Sequence, residues 1–293
     1  MTHEFNQNTK ILIVGLGLIG GSYAEALTEA GFEVGAIDPN EGSIRYAVDS
    51  ELIRHGRCDV SSDYVGQFGL IVFALYPHVL IEWLEKYRDY IAPNTLLTDV
   101  TGVKCSVVYK VQSMLDGERG IEFIGAHPMA GRELSGVENA RRDIFYGANY
   151  IVTPTEKNTA EAITICRQLG EIMGFGMITE LSPERHDEMI AFLSQLTHCI
   201  AVTLMVCRDS ESLAPYTGDS FRDLTRIARI NDEMWSELFL ANREALLSQM
   251  ELFADSFEEL RGKIAAGDRE GIREIMRLSA KKRAFFDKPR NNR

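Results

Sequence analysis

Short runs of β-branched and aliphatic residues alternate with segments of helical periodicity as far as Glu180, and beyond Pro183 only the helical period remains. Residues 10–14 (KILIV), 33–37 (EVGAI), 70–74 (LIVFA) and 95–97 read as strands, and 79–90 and 103–114 as helices with apolar positions at helical spacing. Residues 150–154, 160–173 and 176–180 repeat the order strand, helix, strand. Strands that alternate with helices predict a doubly wound parallel sheet, whose ligands bind beyond the carboxyl ends of the strands. Ser182, Pro183 and Glu184 form a helix start signal, a capping hydroxyl followed by proline at the first helical position. The expected division is an α/β domain over 1–181 and an all-α domain over 182–293.

The first strand ends in Gly15, Gly17 and Gly20, the spacing of a dinucleotide-binding turn. The first glycine makes the turn, the second admits the pyrophosphate, and the third lets helix pack on strand. Leu18 and Ile19, between the second and third, belong to the same cradle, and Thr101 is assigned to the cofactor as well. The second strand ends in Asp38, at the distance expected for an acid that accepts both hydroxyls of a ribose. A carboxylate there would repel the 2′-phosphate of NADP, so NAD is the expected cofactor; Arg45 is the nearby residue that leaves NADP open.

Charge narrows the partners. With 31 basic against 43 acidic residues and a net charge of −12, neither nucleic acid nor an anionic membrane is an expected partner. A small anionic substrate would need a local cluster of arginines. Arg222, Arg226 and Arg229 supply one if residues 218–228 are helical, because they then share a face; the alternative is surface pairing with Asp219 and Asp223. The five cysteines are scattered and form no CxxC pair, so neither a disulfide framework nor a metal site is expected. The polar N-terminus has no signal-peptide core, which predicts a cytoplasmic protein. Residues 189–207, the most apolar long run, contain Ser194, Gln195, Thr197 and His198 and read as a buried helix, not a membrane span.

The densest chemistry lies in residues 125–137 (GAHPMAGRELSGV), read as a stiff loop in which Gly125 and Gly131 give backbone freedom and Pro128 holds His127 in place. A surface turn with a solvated histidine is the equally weighted alternative. His186 and His198 stand twelve residues apart, and each alone is more often a hydrogen-bonded core histidine than a ligand.

GLGLIGGS (15–22), Asp38, DVTGVK (99–104), GAHPMAGRE (125–133), HDEMIAFLSQLTH (186–198) and FRDLTRIA (221–228) with Trp235, in that order, resemble prephenate dehydrogenases. The resemblance implies a Rossmann-type NAD domain followed by a helical domain that forms an intertwined homodimer. It implies oxidative decarboxylation of prephenate to 4-hydroxyphenylpyruvate on the route to tyrosine. His127 is then the base and Arg226 the substrate-carboxylate ligand. His198 lies on the substrate side, Arg132 is a further anion contact, Glu133 orders the pocket, and Trp235 walls it or is ordinary core; Arg222 is a candidate substrate contact from the shared arginine face alone. Many family members read DxGSxK, with a serine that bonds the histidine; Gly102 stands there in this chain, so Thr101 or a water is the replacement considered. The rival readings are an arogenate dehydrogenase, with Glu133 accepting the ammonium, and a non-catalytic NAD-responsive binding protein. A hydroxyacid dehydrogenase would need a lysine in the helical domain, where Lys263 is the only one before Ala280.

Overall fold

The computed structural model describes every residue except 1, 2, 4, 116–118, 132, 133, 210 and 288–293. The expectations for Arg132 and Glu133 therefore lie outside the described residues. The strands are β1 (Ile11–Val14), β2 (Val34–Ile37), β3 (His55–Arg57), β4 (Leu70–Phe73), β5 (Leu96–Asp99), β6 (Glu122–Met129), β7 (Asn149–Thr153) and β8 (Met177–Glu180). They form one sheet in the order β3-β2-β1-β4-β5-β6-β7-β8. Successive side chains of a strand point to opposite faces. Accordingly Ile11 and Ile13 enter one apolar cluster and Leu12 and Val14 the other. A sheet covered on both faces explains why β1, β2 and β4 carry no polar alternation.

Two features depart from expectation. β7 runs antiparallel to β6, so the sheet is parallel except at that pair. The segment around His127 is also strand, not loop: β6 pairs with β5 only over Glu122–Ile124 and with β7 over Gly125–Met129. Glycine and proline argue against a strand interior, which is why the sequence misleads here. Past Ile124 one side of β6 has no strand neighbour, and Pro128 needs no ladder partner there. Gly125 acts by what it lacks: a Cβ would lie 2.7 Å from Val108 and 3.2 Å from the Lys104 side chain.

The sheet is wrapped by α1 (Leu18–Glu29), α2 (Glu41–Asp49), α3 (Ser62–Val65), α4 (Pro77–Tyr87), α5 (Cys105–Met114) and α6 (Ala160–Ile172). Then comes α7 (Pro183–Ile190), opened by the Ser182 hydroxyl, which accepts the Arg185 N–H. It passes through a π turn at Ala191–Gln195 into α8 (Leu196–Val206), and α9 (Asp219–Thr225), α10 (Asp232–Ala241), α11 (Arg243–Ala265) and α12 (Arg269–Arg283) follow. By contacts the chain divides into Met1–Arg243, holding the sheet and α7 to α10, and Glu244–Arg293, holding the remainder of α11 and α12. The helix Pro183–Val206 is long and apolar enough, by length and composition alone, to cross a membrane. It is not the buried helix expected, because Phe192, Leu193, Met205 and Val206 are exposed in this chain.

Candidate active site

The glycine turn is a cradle that side chains would fill. Gly15 has φ +98°, and a Cβ there would meet the Ala74 carbonyl oxygen at 2.5 Å; one on Gly20 would overlap the Gly15 carbonyl. Gly17, by contrast, faces open space, with nothing within 4 Å of a Cβ. As the N-cap of α1 it offers no side-chain cap, and the first turn, with Leu18 and Ile19, carries no acid. Those helix N–H groups remain for an anion. Asp38 accepts the Leu16 N–H at 2.6 Å and the Asn40 N–H at 2.8 Å, which fixes its carboxylate beside the turn. Arg45 is exposed and paired with Glu41, and Arg57 at the end of β3 is held by Ser61 and Asp63. The residues present thus fit a dinucleotide with an unphosphorylated ribose.

Beyond the end of β5 the place of a neighbouring strand is taken by two charged side chains. Asp99 accepts the Ala126 N–H at 3.0 Å, and Lys104 donates to the Ala126 carbonyl at 2.5 Å and to Asp99 at 2.7 Å. Both are fully buried. Burial pushes the Lys104 ammonium below its ordinary pKa, while Asp99 opposes that shift. Thr101, expected at the cofactor, belongs to this network instead. It is buried, and its hydroxyl is taken by Asp99 and approached by Lys104.

The peptide gripped in this way is the one before His127. His127 Nδ1 lies 2.8 Å from His186 Nε2, and His186 Nδ1 lies 2.7 Å from Asp187 Oδ1. Asp187 also accepts the N–H groups of Lys104 and Cys105, each at 2.8 Å, where α5 begins. Burial, then the electrostatic influence of His186 and Lys104, holds the His127 pKa well below its ordinary value, so the ring is neutral at pH 7. Burial lowers His186 too, against the pull of Asp187. Although burial would raise the Asp187 carboxyl, hydrogen bonds from His186 and the two backbone N–H groups keep it low. A Cβ on Gly102 would be 4.0 Å from His127 Nε2 and 3.5 Å from Leu238. The expected orienting partner, Thr101 or water, is thus replaced by His186 acting on the other ring nitrogen. Sequence reasoning left His186 as structural.

The π turn bears on that omission. Residues twelve apart on a regular α-helix point about 120° away from each other, and absorbing one residue in a π turn reduces this to about 20°. His186 and His198 are brought toward one side in this way. His198 bonds the Ser194 carbonyl and stacks on Trp235 with ring centroids 3.7 Å apart. Burial lowers its pKa, and the nearby Arg226 charge lowers it further. Trp235, on α10, is half-exposed. One turn along the same face, Leu238 reaches Gly102. Between them Glu237 accepts the His78 N–H at 2.7 Å, capping α4, and Asn231 meets the Tyr76 hydroxyl. α10 therefore joins the His127 end of the cleft to the His198 end.

The three arginines do not share a helix face. α9 ends at Thr225, Arg226–Ala228 winds as a 3-10 turn, and Arg229 is extended. Arg222 is exposed and paired with Asp219 and Thr217, the surface arrangement, which removes it from the expected substrate contacts. Among the described residues no group of His, Cys, Asp and Glu is placed to hold a metal.

Comparison with known proteins agrees with this arrangement. The family model of the prephenate dehydrogenase nucleotide-binding domain matches residues 23–178, and that of the prephenate dehydrogenase dimerization domain matches 182–278. The prephenate dehydrogenase of Bacillus subtilis (strain 168) is 30% identical over 270 residues, 89% of this chain and 72% of that protein. The cyclohexadienyl dehydrogenase of Zymomonas mobilis is 30% identical over 282 residues, 93% and 94% of the two chains. Among solved structures, prephenate dehydrogenase from A. aeolicus in complex with hydroxyphenyl propionate and NAD+ superposes with a TM-score of 0.86 at 30% identity, covering 95% of this chain and 98% of that one. With both halves of the chain matched in order, the chain belongs to the prephenate dehydrogenase family.

Proposed function

We propose that this chain, an NAD-dependent dehydrogenase, oxidises and decarboxylates prephenate to 4-hydroxyphenylpyruvate. The observation that carries the reading is a neutral, partly exposed His127 whose Nδ1 is bonded inside the protein, leaving Nε2 toward the cleft bordered by Gly102 and Leu238. Gly15, Gly17, Gly20 and Asp38 are the residues that would hold NAD, which would supply the acceptor for the C4 hydride. His127 takes the hydroxyl proton. The bond between ring and carboxylate breaks as CO2 leaves, its electron pair completes the aromatic ring, and the phenolic oxygen recovers a proton from His127. A positioned base of this kind contributes roughly 10²- to 10⁴-fold. Arg226, His198 and Trp235 are assigned to the substrate side, where a guanidinium fits a carboxylate.

We keep 1–181 as the NAD-binding domain and 182–293 as the substrate and dimerisation domain, the latter overlapping the matched dimerization model. A homodimer through the helical domain would cover Phe192, Leu193 and Val206, and it also accounts for Leu252, Phe257 and Ile264, exposed within Glu244–Arg293. A cytoplasmic location is kept as part of this reading. Arogenate is the competing substrate, favoured by the likeness to a cyclohexadienyl dehydrogenase over nearly the whole of both chains. The test is NADH formation with each substrate under identical conditions. Higher kcat/KM with prephenate is expected; higher kcat/KM with arogenate reverses the assignment, and no NADH from either refutes it.

A further inference from the structure

A carboxylate can only accept hydrogen bonds. Asp187 accepts two backbone N–H groups at the start of α5, so its third contact, His186 Nδ1 at 2.7 Å, must be a donor. With its proton on Nδ1, a neutral His186 presents a lone pair at Nε2. The 2.8 Å contact to His127 Nδ1 then has one consistent direction: His127 donates and His186 accepts. The proton of His127 is thereby placed on Nδ1 and its lone pair on Nε2. Free histidine favours the reverse, with the proton on Nε2.

We propose that His186 and Asp187 are positioning residues that hold His127 in the Nδ1-protonated tautomer and so turn its basic nitrogen toward the substrate. The inference rests on the reading of His127 as the base and extends it to what sets that base. The partner bonded to one ring nitrogen decides which state the other adopts. No proton leaves the pair during turnover: His127 gains one at Nε2 while its Nδ1–H and that of His186 stay in place. Asp187 is anchored to α5 of the sheet-bearing half and sits on α7, so the setting of the ring is fixed where the two kinds of structure meet.

The test is a two-bond ¹H–¹⁵N spectrum of the full chain labelled with ¹⁵N-histidine, without ligand, at about pH 8, where the rings are neutral. The His127 signals are identified by their loss in His127→Asn. The wild type should show His127 protonated on Nδ1. His186→Asn keeps an amide beside Asp187 but offers no acceptor at the former Nε2. It should shift His127 toward Nε2 protonation and lower kcat about ten- to a hundredfold, the range for lost outer orienting contacts, with both KM values changed less than about threefold. His186→Gln, which restores an oxygen near that position, should recover part of kcat. A wild-type His127 protonated on Nε2, or a tautomer and kcat unmoved by His186→Asn, overturns the proposal. If His186→Asn does not fold, the wild-type spectrum and His186→Gln decide it. An Nδ1-protonated His127 in a protein that does not turn over prephenate would overturn the functional reading and leave the relay standing.

Discussion

Gly17 and Gly20 differ by three residues and should fail in opposite ways when changed to alanine. At Gly17 the backbone has φ −90°, which any L-residue adopts, and a Cβ would meet no atom within 4 Å. Reduced freedom of the unfolded chain stabilises such a change by about 0.4–1 kcal/mol. Alanine is a poorer N-cap than glycine by a comparable amount, so the two effects nearly cancel. The melting temperature of Gly17→Ala should stay within about 3 °C of the wild type. The empty space is nevertheless where a pyrophosphate must approach the start of α1. Losing one charge-assisted hydrogen bond there, about 1.5–3 kcal/mol, weakens NAD binding roughly ten- to a hundredfold. In Gly20→Ala the Cβ overlaps the Gly15 carbonyl, and relieving it by moving backbone costs about 1–3 kcal/mol of stability. Thermal melts and calorimetric titration with NAD separate the two. Wild-type NAD affinity in a folded Gly17→Ala protein would refute the placement of the dinucleotide.

Four further outcomes are expected. His127→Asn should lower kcat by about 10² or more with little change in the Kd for NAD, and equal turnover removes His127 as the base. Arg226→Ala should raise the KM for prephenate about ten- to a hundredfold, and an unchanged KM removes that carboxylate contact. Lys104→Met leaves Asp99 unpaired in the interior and should destabilise by about 3–5 kcal/mol in urea unfolding; a change below about 1 kcal/mol would show that the pair does not grip β6. Stability should also depend on pH through His3 and Glu122, 3.0 Å apart. The Glu122 hydrogen bond raises His3 above its ordinary 6.5, so that contribution is full below 6.5 and is lost as pH rises through the raised value. Glu122 is held below its ordinary 4.5 because hydrogen bonds outweigh its burial, so its contribution is present above 4.5 and is lost as pH falls through the lowered value. The destabilisation by His3→Ala should therefore be larger near pH 5.5 than near pH 8.5, and equal values at both refute the linkage.

The sheet-bearing half was largely legible because β1, β2 and β4 are apolar runs set between amphipathic helices, a pattern with few alternative solutions. β3, HGR, has no apolar residue and was invisible to that reasoning. β6 was misread because Gly125 and Pro128 weaken the local strand signal, while the reasons they are tolerated lie in Lys104, Val108 and the early end of β5. Among the residues of the candidate site, motif and spacing point to the glycines, Asp38 and His127. His186 was passed over because it shares a side with His198 only after the π turn is known, and because its partner His127 is remote in the chain. An adjacent His-Asp pair at a helix start was the available signal. The shared arginine face failed for the opposite reason: periodicity carried Arg226 and Arg229 on a helix that ends at Thr225.

α10 has a consequence for how variants of this enzyme will behave. Within two turns it caps α4 through Glu237, closes on Gly102 through Leu238 and stacks on His198 through Trp235. On the proposed roles of His127, His198 and Trp235, a substitution that tilts this helix disturbs dinucleotide affinity, base alignment and recognition of the acid together, so the kinetic constants for the two substrates drift as a set. Selection for a new ring substrate will find its independent adjustments elsewhere, in side chains that touch one partner alone.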